Sequence, residues 1–142
     1  MRLKENVDIT NALNKMLDEH SVEFWQNVTP DKGKEYFSFA LENDDGVLIG
    51  GLTAKLKFGQ FHIQLLAVSK EFRNQGFGKK LMLVAEEKAR ELNCHHLFLT
   101  TYSYQGTEFY PKMGFVELAR ISNFPAERVD KVYFIKYLIS VK

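Results

Sequence analysis

Over residues 77–92 the apolar positions recur at the helical interval. Phe77, Leu81, Val84, Ala85, Ala89 and Leu92 fall on one face, and Glu86, Glu87, Lys88 and Arg90 fall mostly outside it. This predicts a buried helix over "GKKLMLVAEEKARELN", ended by Asn93, a residue that tolerates the left-handed conformation. Ile9, Leu13, Met16, Leu17 and His20 make a second helical stripe near the start, with a shorter helical piece at "VEFWQ". Between these helices the pattern is that of strands. "EYFSFALE" ends at the turn signal "NDDG", "VLIGGLTAKLKF" ends at "GQ", and "FHIQLLAV" follows, so three successive antiparallel strands are expected. Gly50 and Gly51 mark a bulge or a close backbone approach in the second of them. After the long helix "CHHLFLTTY" reads as a strand, and a strand, a crossover helix and a strand make a right-handed parallel unit. His95 and His96, as neighbours, are expected on opposite faces of that strand. "TEFYPKM" predicts a short helical piece stopped by Gly114, and "FVELARIS" and "KVYFIKYLI" a closing strand pair. The sum is an α/β fold of the α+β type, built on a sheet of mixed direction.

At 142 residues with an apolar share of 45%, the chain is long enough for one continuous core, so residues 1–142 are read as a single domain. Lysine and arginine total 19 against 18 acidic residues, which gives no basic face for nucleic acid and no polybasic run for a membrane surface. "MRLKENVDIT" lacks the apolar core of a signal peptide, and no apolar run is long enough to span a bilayer. The expected compartment is the cytoplasm. Cys94 is the only cysteine, which excludes an internal disulfide, and without thiols or carboxylates arranged around His95 and His96 no metal is expected.

The chemistry concentrates in "EFRNQGFGKKL", residues 71–81, which leaves a strand and enters the long helix. A helix N-terminus presents unpaired N–H groups and the positive end of the macrodipole, a ready site for phosphate. Gly76 and Gly78 remove side chains that would hold an anion off those N–H groups, while Arg73, Lys79 and Lys80 add charge at the rim. The plainer reading is a glycine-eased turn with a solvated basic edge. Two phosphate loops are excluded by their letters. A P-loop needs Ser or Thr where Lys80 stands, and the dinucleotide fingerprint needs a small residue where Leu81 stands.

What fits is the pattern [Q/R]-x-x-G-x-[G/A], present as Arg73-Asn74-Gln75-Gly76-Phe77-Gly78, followed after the helix and a strand by "FYPKMGF" at 109–115. On these two motifs, in this order, the sequence resembles a small member of the GNAT superfamily of N-acetyltransferases, over nearly the whole chain. The resemblance implies a mixed, mostly antiparallel sheet of six to seven strands with a splayed central parallel pair and helices on both faces. It also implies acetyl-CoA as cosubstrate, lying in the splay. Leu66, Ala67 and Val68 would offer backbone groups to the pantetheine arm, as a peptide is bound by strand addition, and Asn74, Gln75, Gly76, Phe77, Gly78 and Lys79 would wrap the pyrophosphate with Arg73 at the edge.

The implied reaction is direct attack of a neutral primary amine on the thioester in a ternary complex. An N–H near Val68 is the oxyanion candidate, and Tyr110 the acid for the departing thiolate. The acceptor is a small-molecule amine or a protein amino group; homodimers are common in the family. Two departures stand out. Gln64 occupies a position where several relatives carry an acidic residue, leaving His62, Glu108, Glu23 or water to take the proton; it also favours the alternative of a non-catalytic acyl-CoA binding module. Ser103 stands where many relatives have an asparagine for the pantetheine arm, so Ser103 or Gln105 is the substitute contact. Phe24, Trp25, Tyr36, Tyr102 and Tyr104 are candidates for an acceptor pocket.

Overall fold

The computed structural model describes residues 1–25 and 34–139, with side chains in the first stretch described through residue 22. The chain divides into two compact units, Met1–Asp31 and Lys32–Lys142. In the first, α1 spans Thr10–Trp25, so the two helical pieces expected there are one helix. Neither Gly nor Pro interrupts residues 9–25, and nothing therefore breaks the hydrogen-bond ladder. It opens with Asp8 Oδ1 accepting the Thr10 N–H at 3.4 Å and the Leu13 N–H reaching the Ile9 carbonyl.

The second unit runs β1 (Glu35–Glu42), β2 (Leu48–Lys57), β3 (Gln60–Val68), α2 (Phe77–Glu91), β4 (His96–Tyr102), α3 (Phe109–Lys112), β5 (Val116–Ile121) and β6 (Lys131–Tyr137). Among the described residues the strands form one sheet in the order β1-β2-β3-β4-β6-β5, antiparallel except for β3 and β4. Period-two alternation buries Leu52, Ala54 and Leu56 of β2, Phe61 and Ile63 of β3, Leu97 and Leu99 of β4, and Val132 and Phe134 of β6. Against these packs α2, through Leu81, Met82, Ala85 and Ala89. Each of the larger side chains among these, Val, Leu, Ile, Phe and Met, contributes about 1.5–3 kcal/mol on burial, which makes this layer the main source of stability. The stripe is turned from the expected one: Met82 is buried, whereas Val84 is only partly covered and Leu92 is exposed. The helix is turned to what the sheet can receive, so that Met82, with its flexible stem, packs into the core while Val84 lies at the flank.

Local signals close the elements. Asn43 Oδ1 accepts the N–H groups of Asp45 and Val47 at 2.9 Å, making the "NDDG" turn, and Asn93 takes φ +56° after α2. Gly50 meets both expectations for its stretch. The register slips between Leu41 and Glu42, leaving Ile49 as the extra residue, and β3 lies so close that a Cβ on Gly50 would stand 2.6 Å from the Ala67 carbonyl oxygen. The expected separation of His95 and His96 does not occur: their Nδ1 atoms are 2.9 Å apart. His95 precedes the first residue of β4, so strand alternation does not govern it, and its ring turns to meet its neighbour's.

Candidate active site

The parallel pairing of β3 and β4 stops at His62 and Phe98, yet β3 continues to Val68 and β4 to Tyr102. The two strands therefore diverge, and the flank of β3 facing β4 is left without ladder partners from residue 63 on. A bulge starts the divergence. Thr53 pairs with Leu65 and Ala54 with Ile63, so Gln64 is the unpaired residue on β3. The Ser69 N–H bonds the Ile49 carbonyl at 2.7 Å, and alternation back from it directs the N–H and C=O of Ala67 to β2 and those of Leu66 and Val68 to the open side.

A cleft of about 870 Å³ opens at this divergence, lined on one side by Leu66, Ala67, Val68, Phe72, Arg73, Asn74, Gly76, Phe77, Gly78 and Lys79, and on the other by Tyr104, Gln105, Gly106, Phe109 and Tyr110. Of the cofactor candidates read from the sequence, Gln75 alone is not on this lining; its side-chain amide turns back to the Glu71 carbonyl at 3.5 Å. The loop between strand and helix is shaped by two left-handed residues, Asn74 at φ +62° and Gly76 at φ +84°, the second being the N-cap of α2. No side chain caps that helix, and its first internal bond is from the Lys80 N–H to the Gly76 carbonyl. The N–H groups of Phe77, Gly78 and Lys79 thus have no intrahelical partner and face the cleft with the dipole behind them. Arg73 Nε donates to the Val68 carbonyl at 3.1 Å, which ties the loop to the strand end and holds the guanidinium at the rim.

Across the cleft, the ring of Tyr110 packs against Phe109, Phe115 and Phe134 at centroid distances of 5.1, 5.9 and 5.5 Å. Burial raises its phenol above the ordinary tyrosine range, so it is a proton donor at neutral pH. Phe72, Gly106 and Phe109 were not singled out from the sequence. A glycine in a polar run before "FYPKMGF" was the available signal for Gly106, which has φ +70°.

Of the candidate proton acceptors, His62 and Glu108 are not gathered here. His62 sits where the strands part, edge-on to Phe98 at 5.1 Å; burial, with the Lys55 charge behind it, holds its imidazole below the usual range. Neither His62 nor exposed Glu108 lines the cleft, and the side chains of Glu23, Phe24 and Trp25 lie outside the described residues. Ser103 Oγ accepts the Asp130 N–H at 2.9 Å while its own N–H bonds the Asp130 carbonyl at 2.8 Å, so it fastens the loop to the start of β6 and is absent from the lining. Among the described residues no three His, Cys, Asp or Glu side chains are grouped as metal ligands, and no helix is long and apolar enough to cross a membrane.

A strand pair splayed beside an uncapped, glycine-entered helix defines a class, and comparison with known proteins agrees with it. The profile described as "Acetyltransferase (GNAT) family" matches residues 8–115, across both units, and the chain belongs to that family. Acetyltransferase Atu2258 of Agrobacterium fabrum is 31% identical over 88 residues, 62% of this chain and 64% of that one, so the match spans less than two thirds of that relative's length. The crystal structure of an acetyltransferase from Bacillus cereus superposes with a TM-score of 0.78 over 97% of this chain and 98% of its own, at 25% identity. A candidate streptothricin acetyltransferase of Bacillus anthracis, solved in complex with acetyl coenzyme A, shares the fold at a TM-score of 0.65 and 22% identity, over 77% and 65% of the two chains.

Proposed function

We propose that the chain transfers an acetyl group from acetyl-CoA to a primary amine by direct attack in a ternary complex, with residues 1–142 acting as one acetyltransferase domain. The observation that carries this is the coincidence, in one cleft, of an unpaired β3 flank with the free N–H groups at the start of α2. The residues fit the cosubstrate. A pantetheine arm carries amides that the open N–H and C=O of Leu66 can pair with by strand addition, and the pyrophosphate suits the loop Arg73–Lys79.

In the reaction the amine nitrogen bonds the acetyl carbon, the carbon–sulfur bond breaks, and the amine proton leaves to water. The Val68 N–H on the open side stabilises the oxyanion; Tyr110 donates its proton to the departing thiolate and recovers one from solvent. The acceptor is a small-molecule amine or a protein amino group. One further reading has an observation in its favour: among the described residues the cleft lining contains no carboxylate and Gln64 stands at the bulge, as suits a module that binds acyl-CoA without turnover.

Thermal melting with acetyl-CoA, CoA and ATP tests the cosubstrate. At ~100 times the dissociation constant a ligand of the folded state adds about 2.7 kcal/mol, which is about 5–11 °C for a domain of this size. A saturable rise with acetyl-CoA or CoA that ATP does not reproduce is expected; no rise with either sinks the proposal. Amine-dependent release of free thiol then separates transfer from binding alone.

A further inference from the structure

We infer that the stacked pair Tyr102 and Tyr104 forms the acceptor wall of the cleft and selects amines carried on a planar aromatic body. The inference rests on the acetyltransferase proposal and deepens it. The two rings are parallel, with 6° between their planes and 6.0 Å between centroids, and Tyr104 is 69% exposed while lining the cleft. Tyr102 is not on the lining but backs Tyr104, and it faces away from α2, since its neighbour Thr101 is buried on the α2 side.

An exposed ring in a loop ordinarily gains little from a ligand, because binding must first order it. Here the loop is ordered already. Besides the two bonds between Ser103 and Asp130, the Gln105 N–H bonds the Tyr102 carbonyl at 2.8 Å, and Gln105 Oε1 accepts from the Tyr102 N–H and the Thr101 hydroxyl at 3.3 and 3.4 Å. Asp130 is held in turn by Arg120 at 3.0 Å and the Asn123 N–H at 3.3 Å. The backbone that carries Tyr104 is therefore held, and its ring presents one face to Tyr102 and the other outward.

The charges of the cleft point the same way. Among the described residues its lining has Arg73 and Lys79 and no carboxylate, so none of these side chains recognises an ammonium group by ion pairing. The cations favour the neutral amine, the form that attacks the thioester. Recognition then falls to the body of the acceptor, and a rigid ring stacks best on another planar ring.

The experiment compares 2-phenylethylamine with 2-cyclohexylethylamine, which match in length and nearly in volume but differ in planarity. Thiol release is measured for the wild type, Tyr104→Ala and Tyr104→Phe, with acetyl-CoA melting shifts for each. We expect the wild type to favour the phenyl amine in kcat/KM by about three- to tenfold. The preference should fall to near unity in Tyr104→Ala through KM for the amine, and persist in Tyr104→Phe, with the acetyl-CoA shift retained throughout. Equal use of both amines by the wild type overturns the inference, as does a preference that survives Tyr104→Ala. Acetyl-CoA binding without turnover of either amine also overturns it while leaving the cosubstrate reading intact. Loss of any acetyl-CoA shift in the wild type defeats the acetyltransferase proposal itself.

Discussion

Gly76 and Gly78 stand two residues apart in one loop, and adding a methyl to each should move stability in opposite directions. Gly76 has φ +84° and ψ +7°, a left-handed geometry that costs an L-residue about 1–2 kcal/mol. A Cβ there meets nothing within 4 Å, so the cost is conformational alone. The stiffer unfolded chain returns about 0.4–1 kcal/mol, leaving Gly76→Ala about 0.5–1.5 kcal/mol less stable. Gly78 lies inside the first turn of α2 without positive φ, and its Cβ would sit 3.8 Å from Phe109 Cζ and 4.0 Å from Val68 Cγ2, ordinary contact distances. Gly78→Ala should therefore gain about 0.5–1 kcal/mol from helix propensity. For a domain of this length these become a fall of about 1–6 °C and a rise of about 1–4 °C in calorimetric melting at neutral pH. Acetyl-CoA titrated into each variant should restore less of the melting temperature in Gly76→Ala, whose methyl occupies the open concavity, than in Gly78→Ala. If both variants move the same way, or Gly76→Ala melts at or above the wild type, the division of labour assigned to the two glycines is wrong.

Tyr110→Phe keeps the ring contacts with Phe109, Phe115 and Phe134 and should melt with the wild type, while kcat falls about 100-fold or more; an unchanged kcat with acetyl-CoA binding intact removes the acid role. Gly50→Ala puts its Cβ 2.6 Å from the Ala67 carbonyl oxygen, a clash with backbone that must spread β2 from β3 at a cost of about 1–3 kcal/mol. Melting should drop and KM for acetyl-CoA should rise together, and a variant as stable as the wild type would show that β3 is not held this closely. His62 and His96 have folded pKa values below the ordinary 6.5, chiefly through burial, with Lys55 and His95 adding to it. The unfolded chain therefore binds their protons first, so their stabilising contribution is present above about pH 6.5 and is lost as pH falls through the lower folded values. Calorimetric melting should decline from pH 7.5 to 5.5, less steeply in a His62→Gln, His96→Gln double variant; equal slopes would place the decline elsewhere.

Most of the sheet was legible because its signals are local. β2 alternates apolar and polar residues from Leu52 to Lys57, β6 is a short aromatic and β-branched run, and α2 repeats apolar residues at the helical interval, so element type followed from spacing. Contacts made across the fold left no such trace. The exchange of Val84 for Met82 in the core depends on where the sheet lies, and the meeting of His95 with His96 depends on β4 starting two residues later than its letters suggest. The same limit separates the two halves of the cleft. Arg73 to Lys79 is a contiguous run whose glycines announce it, but the opposing wall is held by the bond of Ser103 to Asp130, whose partner is recognisable only after β4 and β6 pair, together with the local turn bonds of Gln105 to Tyr102. Ser103 shows the consequence: taken alone, its hydroxyl resembles a ligand contact, and its use in fixing the loop appears only with Asp130 beside it. The cosubstrate's anionic end could thus be inferred from consecutive residues, whereas the acceptor's shape had to await the tertiary bonds that hold Tyr104 in place.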